Sequence, residues 1–170
     1  TTDDDELALA IRRLRYNGED RETGEYHYHG YSALLDNLQA AVLDVKLKHL
    51  PSWIEHRRSI ADRFTRGLSG VGDLRLPPPE AAPYHDIFQN YVIRTERRDA
   101  LREALRASGV ETLVHWPKPV WRHAGLNLGD RDLPNTEAIC RQVISLPMSA
   151  ETTDRDVDFT IRAIRSFFAA

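Results

Sequence analysis

Leu7, Ile11 and Leu14 recur at helical spacing behind the acidic run Asp3 to Glu6, and they predict a first helix over residues 3–16. Thr2, with Asp5 three residues later, offers a capping box, the acidic cluster complements the positive end of the helix dipole, and Asn17-Gly18 stops the helix. Residues 19–30 show no helical or strand period beyond a short Tyr/His alternation and read as a long polar loop, of a length common in functional connectors. Leu35, Leu38, Val42 and Val45 then step by three and four, and the pattern resumes after Pro51 with Trp53, Ile54, Ile60, Ala61, Phe64 and Leu68. These are two nearly continuous helices, with Pro51 starting the second or kinking the joint. Gly67, Gly70 and Gly72 follow a helix, in the reverse spacing of a dinucleotide fingerprint, and read as a helix stop.

Beyond them the pattern alternates. Leu74-Arg75-Leu76 is a short strand closed by three prolines, and residues 88–95, with Tyr91, Val92 and Ile93, form a better one. Residues 97–107 read as a helix ended by Gly109, and residues 110–115 as a further strand. Trp116-Pro117-Lys118-Pro119 forces an extended exit, because residues before proline are pushed out of the helical region. A helix over 135–142, a strand over 143–146 and a last helix over 154–168, capped by Thr153, complete the chain. The expected fold is α/β: a helical arm over residues 1–72, then a small layered sheet with helices on one face over residues 73–170.

Composition narrows the function classes. At 170 residues and 41% hydrophobic side chains, the chain has the material for one ordinary folded core. Twenty-three basic against 26 acidic residues leave a net charge of −3, so no global field favours nucleic acid or an anionic membrane. Cys140 is the only cysteine, which excludes an intrachain disulfide and favours the cytosol. No apolar run approaches the roughly 20 residues a membrane helix needs. Only Lys46, Lys48 and Lys118 are lysines, so chemistry that needs a lysine amine has three candidates. A chain that opens on Thr1 without an initiator is expected to be a processed product or a piece of something longer.

Among candidate chemical groups, His27 and His29 could share one face of an extended segment as a metal pair, but no third ligand is identifiable, and exposed loop histidines are the plainer reading. His49 and His56, seven apart on one helical face, lack the carboxylate of a metalloprotease pattern and read as surface residues. Cys140 reads as a buried inert thiol. No Gly-X-Ser-X-Gly or phosphate loop occurs, and the carboxylate clusters lie at helix starts, where the dipole accounts for them. Residues 112–121 stand apart: a strand runs into two prolines that stiffen a loop presenting His115, Trp116 and Lys118.

Several segments, in order, resemble one family. Gly30-Tyr31-Ser32-Ala33-Leu34-Leu35-Asp36-Asn37-Leu38-Gln39-Ala40-Ala41 is similar to the Gly-X-Asn-X-Arg-Leu-Asp-X-Leu-Gln-Ala-Ala motif of the DegT/DnrJ/EryC1/StrS sugar aminotransferases. Asn90 to Arg94 resembles that family's Tyr-Val-Ile-Arg strand, and Arg98 to Leu101 its following helix. Gly109 to Thr112 with His115-Trp116-Pro117 and Pro119 resembles its Gly-Ile-Glu-Thr and His-Tyr-Pro segment, and Leu146-Pro147-Met148 its Leu-Pro-Met.

The resemblance implies the C-terminal small domain of an aspartate-aminotransferase-like fold. The implied enzyme is a cytoplasmic homodimer that uses pyridoxal 5'-phosphate to move an amino group, usually from glutamate, onto a nucleotide-linked keto-sugar. It further implies that the large domain with the Schiff-base lysine lies before Thr1, that none of the three lysines here replaces it, and that this chain alone is inactive and holds no catalytic residue. By matching position, Ser32 stands for the asparagine that reaches across the dimer to the cofactor phosphate, and Leu34 for an arginine. His115 stands for a histidine on the sugar side, Trp116 for a tyrosine there and Trp121 for a second histidine, with His29 and Tyr31 as further substrate-side candidates. Alternatives are a non-catalytic remnant that binds a nucleotide sugar or dimerises, and a dehydratase branch with histidine in place of the lysine. A consequence of the first reading is that a face carrying Leu34 and Leu47 should be unusually apolar and exposed when the large domain and partner subunit are missing.

Overall fold

A computed structural model describes residues 1–169, which fall into two compact units, Thr1–His49 and a second that begins at Leu50. In the first, helix α1 (Asp5–Leu14) is capped by Asp4 and not by Thr2: the Asp4 carboxylate accepts from the Leu7 amide at 3.0 Å, while Thr2 Oγ1 accepts from the Asp4 amide. Residues 19–30 are more ordered than their polarity predicts. Asn17 and Gly18 take left-handed backbone angles, and the chain turns into a hairpin with bridges Glu19↔Tyr26 and Tyr16↔Ser32. Helix α2 (Asn37–Leu47) is capped by Asp36, which accepts from the Leu38 and Gln39 amides. No residue of α1 or α2 is buried, and Leu34, Leu38 and Leu47 are 50%, 76% and 64% exposed, in line with the apolar face expected there.

The second compact unit begins with helix α3 (Leu50–Leu68), inside the segment 1–72 that the sequence groups as one arm. The reason is the apolar stripe Ile60, Ala61, Phe64 and Leu68, which is fully buried in the core of the second unit. Strands β1 (Tyr91–Arg94) and β2 (Val143–Leu146) pair antiparallel, with Tyr91 opposite Leu146 and Ile93 opposite Ile144. The two further strands expected at 74–76 and 110–115 shrink to single bridges, Arg75↔Arg94 and Leu113↔Ser145, one on each side of the pair. Pro77 to Pro79 and Pro117 carry no amide proton with which to extend either ladder.

Helices α3, α4 (Arg98–Ala107) and α6 (Asp154–Ala169) supply the expected helical layer, with Tyr91, Ile93, Ile144 and Leu146 buried in the same core as Phe64, Leu101, Leu105, Val157 and Ile164. Helix α6 opens on a capping box in which Thr153 and Asp156 each accept from the other's amide. Helix α5 (Pro134–Gln142) leads directly into β2. The largely buried Arg98 guanidinium donates to the carbonyls of Cys140 and Val143 at this junction. Gln142 ties it to the sheet, accepting from Arg94 and donating to Glu96.

Candidate functional site

The candidates of the first unit hang on the hairpin. Its neck is a backbone crossing: the Tyr31 amide donates to Leu14 O at 2.7 Å, Asn17 to Tyr31 O at 2.9 Å, and Ala33 to Arg15 O at 3.0 Å. Two glycines permit it. A Cβ on Gly18 would overlap the Tyr28 carbonyl, and one on Gly30 would overlap the backbone of Gly18 and Asn17 and lie 2.6 Å from Leu14 O. This crossing fixes Ser32 opposite Tyr16, with His29 and Tyr31 beside it. All three side chains are exposed, and the Ser32 hydroxyl makes no hydrogen bond among the described residues, so it is free to donate to a ligand.

Asp20 holds the other end. Its Oδ2 accepts from both Nε and Nη2 of Arg13, and its Oδ1 accepts from the Glu22 amide at 2.9 Å. The Arg13 guanidinium, seconded by the Glu22 amide, keeps the Asp20 carboxyl below its ordinary value of 3.8. A carboxyl depressed in the folded state stabilises it above the unfolded value, and that contribution is lost as pH falls through the folded value. The Glu22 amide signal in an NMR titration is therefore expected to hold steady down to about pH 4 and to move toward its unfolded position below it. In Asp20→Asn it should be displaced already at neutral pH.

One feature of this unit has no counterpart among the sequence candidates. Leu9, Arg12, Arg15, Tyr16, Arg21 and Leu34 surround a cleft of about 220 Å³, with the Arg21 guanidinium 4.8 Å from the centre of the Tyr16 ring. Its signal is the run Arg12-Arg13-Leu14-Arg15, in which Asp20 neutralises Arg13 alone. His27 and His29 are exposed, and among the described residues no group of three His, Cys, Asp or Glu side chains converges on a metal-sized space. Lys46, Lys48 and Lys118 are exposed, and Lys48 is paired with Asp44 at 3.3 Å. None has the desolvated surroundings that a Schiff-base amine needs.

In the second unit, His115 and Trp116 follow the Leu113↔Ser145 bridge directly, so the sheet edge sets where they begin. They line a cleft of about 280 Å³ with Asn90, Val92, Leu113, Ile139, Cys140 and Ser145. Ser145 escapes the sequence reading, although alternation in Val143-Ile144-Ser145-Leu146 separates it from the core-facing Ile144 and Leu146. Cys140 is buried, as expected, and Trp121 is buried with its indole N–H unpaired. His56 is only part-exposed, and its Nε2 lies 2.9 Å from Thr152 O, which makes it a brace between α3 and the start of α6 and not the free surface residue expected.

Residues 1–165 match the DegT/DnrJ/EryC1/StrS aminotransferase family. The chain belongs to that family. It is 37% identical over 98% of its length to a dTDP-3-amino-3,4,6-trideoxy-alpha-D-glucose transaminase of Streptomyces venezuelae, and 36% identical over 98% to a pleiotropic regulatory protein of Geobacillus stearothermophilus. It covers 44% and 46% of these two proteins, so this family member spans about half the length of the curated relatives it matches. The crystal structure of S. venezuelae DesV in complex with a ketimine intermediate superposes on all of this chain and 46% of its own, at a TM-score of 0.91 and 35% identity. The α/β fold is thus that of the DegT family. No helix among the described residues is long and apolar enough to cross a membrane.

Proposed function

We propose that this chain is the C-terminal part of a pyridoxal-phosphate-dependent aminotransferase that moves an amino group from glutamate onto a nucleotide-linked keto-sugar. The observation that carries this reading is the family match across residues 1–165, joined to 37% identity with a nucleotide-sugar transaminase. The bound cofactor supplies the carbanion stabilisation that amino transfer requires. Residues of this chain supply contacts around it. Ser32, held by the Gly18/Gly30 crossing, donates to the cofactor phosphate of the partner subunit in a homodimer. His29, Tyr31, His115 and Trp116 meet the sugar. The Schiff-base lysine belongs to a large domain preceding Thr1, residues 1–72 form the connecting segment, and the enzyme works in the cytoplasm. The exposed leucines of α2 support a further surface being seated on them in the whole enzyme.

The test is made on the full-length protein. It is expected to carry the visible absorbance of bound pyridoxal phosphate and to yield an amino-sugar nucleotide from glutamate and a keto-sugar nucleotide. Absence of cofactor absorbance, with the protein folded, would overturn the reading in favour of a non-catalytic module.

A further inference from the structure

We propose that the arginine-lined cleft of the first unit is an oxyanion subsite that takes a phosphate or carboxylate group of a small ligand, an inference that stands apart from the aminotransferase reading above. One wall follows from helical spacing. Leu9 and Arg12 stand three apart on α1, on one face, and Arg15 is the residue that ends the helix. The hairpin supplies the facing wall, bringing Arg21 over the Tyr16 ring, and Leu34 returns beside them from the far side of the Gly18/Gly30 crossing. The cations therefore meet through a tertiary turn and not through one run of sequence. At about 220 Å³ the space lies under the range of drug-sized ligand pockets and suits one charged group with a short stem, not a nucleoside.

Two observations point to an anion. The first is the state of the charges. Arg12, Arg15 and Arg21 form no ion pair among the described residues, while Asp20 is taken by Arg13. Of the other two carboxylates on the cleft, Glu19 acts on the Tyr26 phenol, which it holds above its ordinary value of 10.0, and Glu22 has no cation partner. Three unpaired guanidinium groups thus share one cleft in a chain whose net charge is −3. The second observation is that the helix end does not require them. Basic residues often gather at a helix C-terminus to answer its carbonyls. Here those carbonyls are answered by amides: Arg13 O accepts from Gly18 at 2.8 Å, and Leu14 O accepts from Tyr31 at 2.7 Å. The planar forks of arginine match the oxygens of phosphate and carboxylate, and a bound oxyanion relieves the repulsion among them. Leu9 and Leu34, each about half exposed, offer an apolar rest for the stem of the ligand.

The experiment titrates the full-length protein with inorganic phosphate and, separately, with glutarate, by calorimetry in dilute chloride buffer. One of the two is expected to bind at one site per chain, more weakly as salt is added. Arg21→Gln should weaken that binding by roughly 10- to 100-fold, the range for a hydrogen bond to a charged group. Arg21→Lys should recover only part of the loss, because it keeps the charge and forfeits the fork. Glu22→Gln should tighten binding severalfold by removing a like charge. Both positions are exposed on the hairpin, and opposite shifts from neighbouring substitutions cannot come from unfolding. Tighter binding of phosphate would assign a phosphoryl ligand, and tighter binding of glutarate a carboxylate, and either upholds the subsite. No binding of either probe, or binding that Arg21→Gln and Glu22→Gln leave unchanged, would overturn it. Neither result touches the aminotransferase reading, which stands or falls on cofactor absorbance and amination.

Discussion

Truncating Phe64 to alanine is expected to cost about 3–5 kcal/mol, the range for a large aromatic removed from a closed core. Total stabilities run at about 5–15 kcal/mol, so this one change should leave the second unit marginal. Phe64 is fully buried on α3, with its ring centre 5.3 Å from that of Tyr91 on β1. Removing it strips packing from helix and sheet together. It also loosens the strand residue whose hydroxyl shares a 2.7 Å hydrogen bond with Thr65. Urea unfolding followed by tryptophan fluorescence gives the number. A loss below about 1 kcal/mol would mean that α3 is peripheral to the core of the second unit.

Helix α3 shows where the sequence is legible and where it is not. Spacing identified α3 down to its buried residues, because a 3.6-residue period is a property of the helix itself. It could not say which neighbour receives the stripe, since Leu38, Val42 and Val45 on α2 show the same steps yet stay exposed. Periodicity reports that a face wants cover, and only tertiary structure reports whether cover is present. The shortened strands at 74–76 and 110–115 fail for a related reason: β-formers supply propensity, while the ladder is limited by the prolines that end each run.

The candidate site divides the same way. His115, Trp116 and Ser32 were reached through motif position, and the structure then shows how each is held. The Gly18/Gly30 crossing and the Ser145 hydroxyl were not read from the sequence, because both depend on which segments meet. Glycine at 18 looked like a helix stop, which it is. That it must also admit the Tyr28 carbonyl is information stored in the returning strand.

Gly30→Ala is accordingly expected to be the most damaging single change for function that leaves the second unit folded. The added methyl has nowhere to go, since the atoms it meets on Gly18, Asn17 and Leu14 are all backbone and cannot swing aside as a side chain could. The neck must open, taking with it the Tyr31 to Leu14 hydrogen bond and the bridge that fixes Ser32. A shift of about 1 Å in a positioned group costs roughly 100-fold in rate, so amination by the full-length protein should fall by at least that factor. Ser32→Ala serves as the comparison: it deletes one hydrogen bond and leaves the crossing intact, and about a tenfold weakening of cofactor retention is expected. Gly24→Ala is the control, at the hairpin tip, where a Cβ meets nothing and only the left-handed backbone resists, at about 1–2 kcal/mol. If Gly30→Ala were no worse than Ser32→Ala, the crossing would be a fold detail and His29, Tyr31 and Ser32 would not act as one positioned set. If it proved far worse, with the unfolding transition of the second unit unchanged, the loss would belong to the placement of the hairpin and to nothing else.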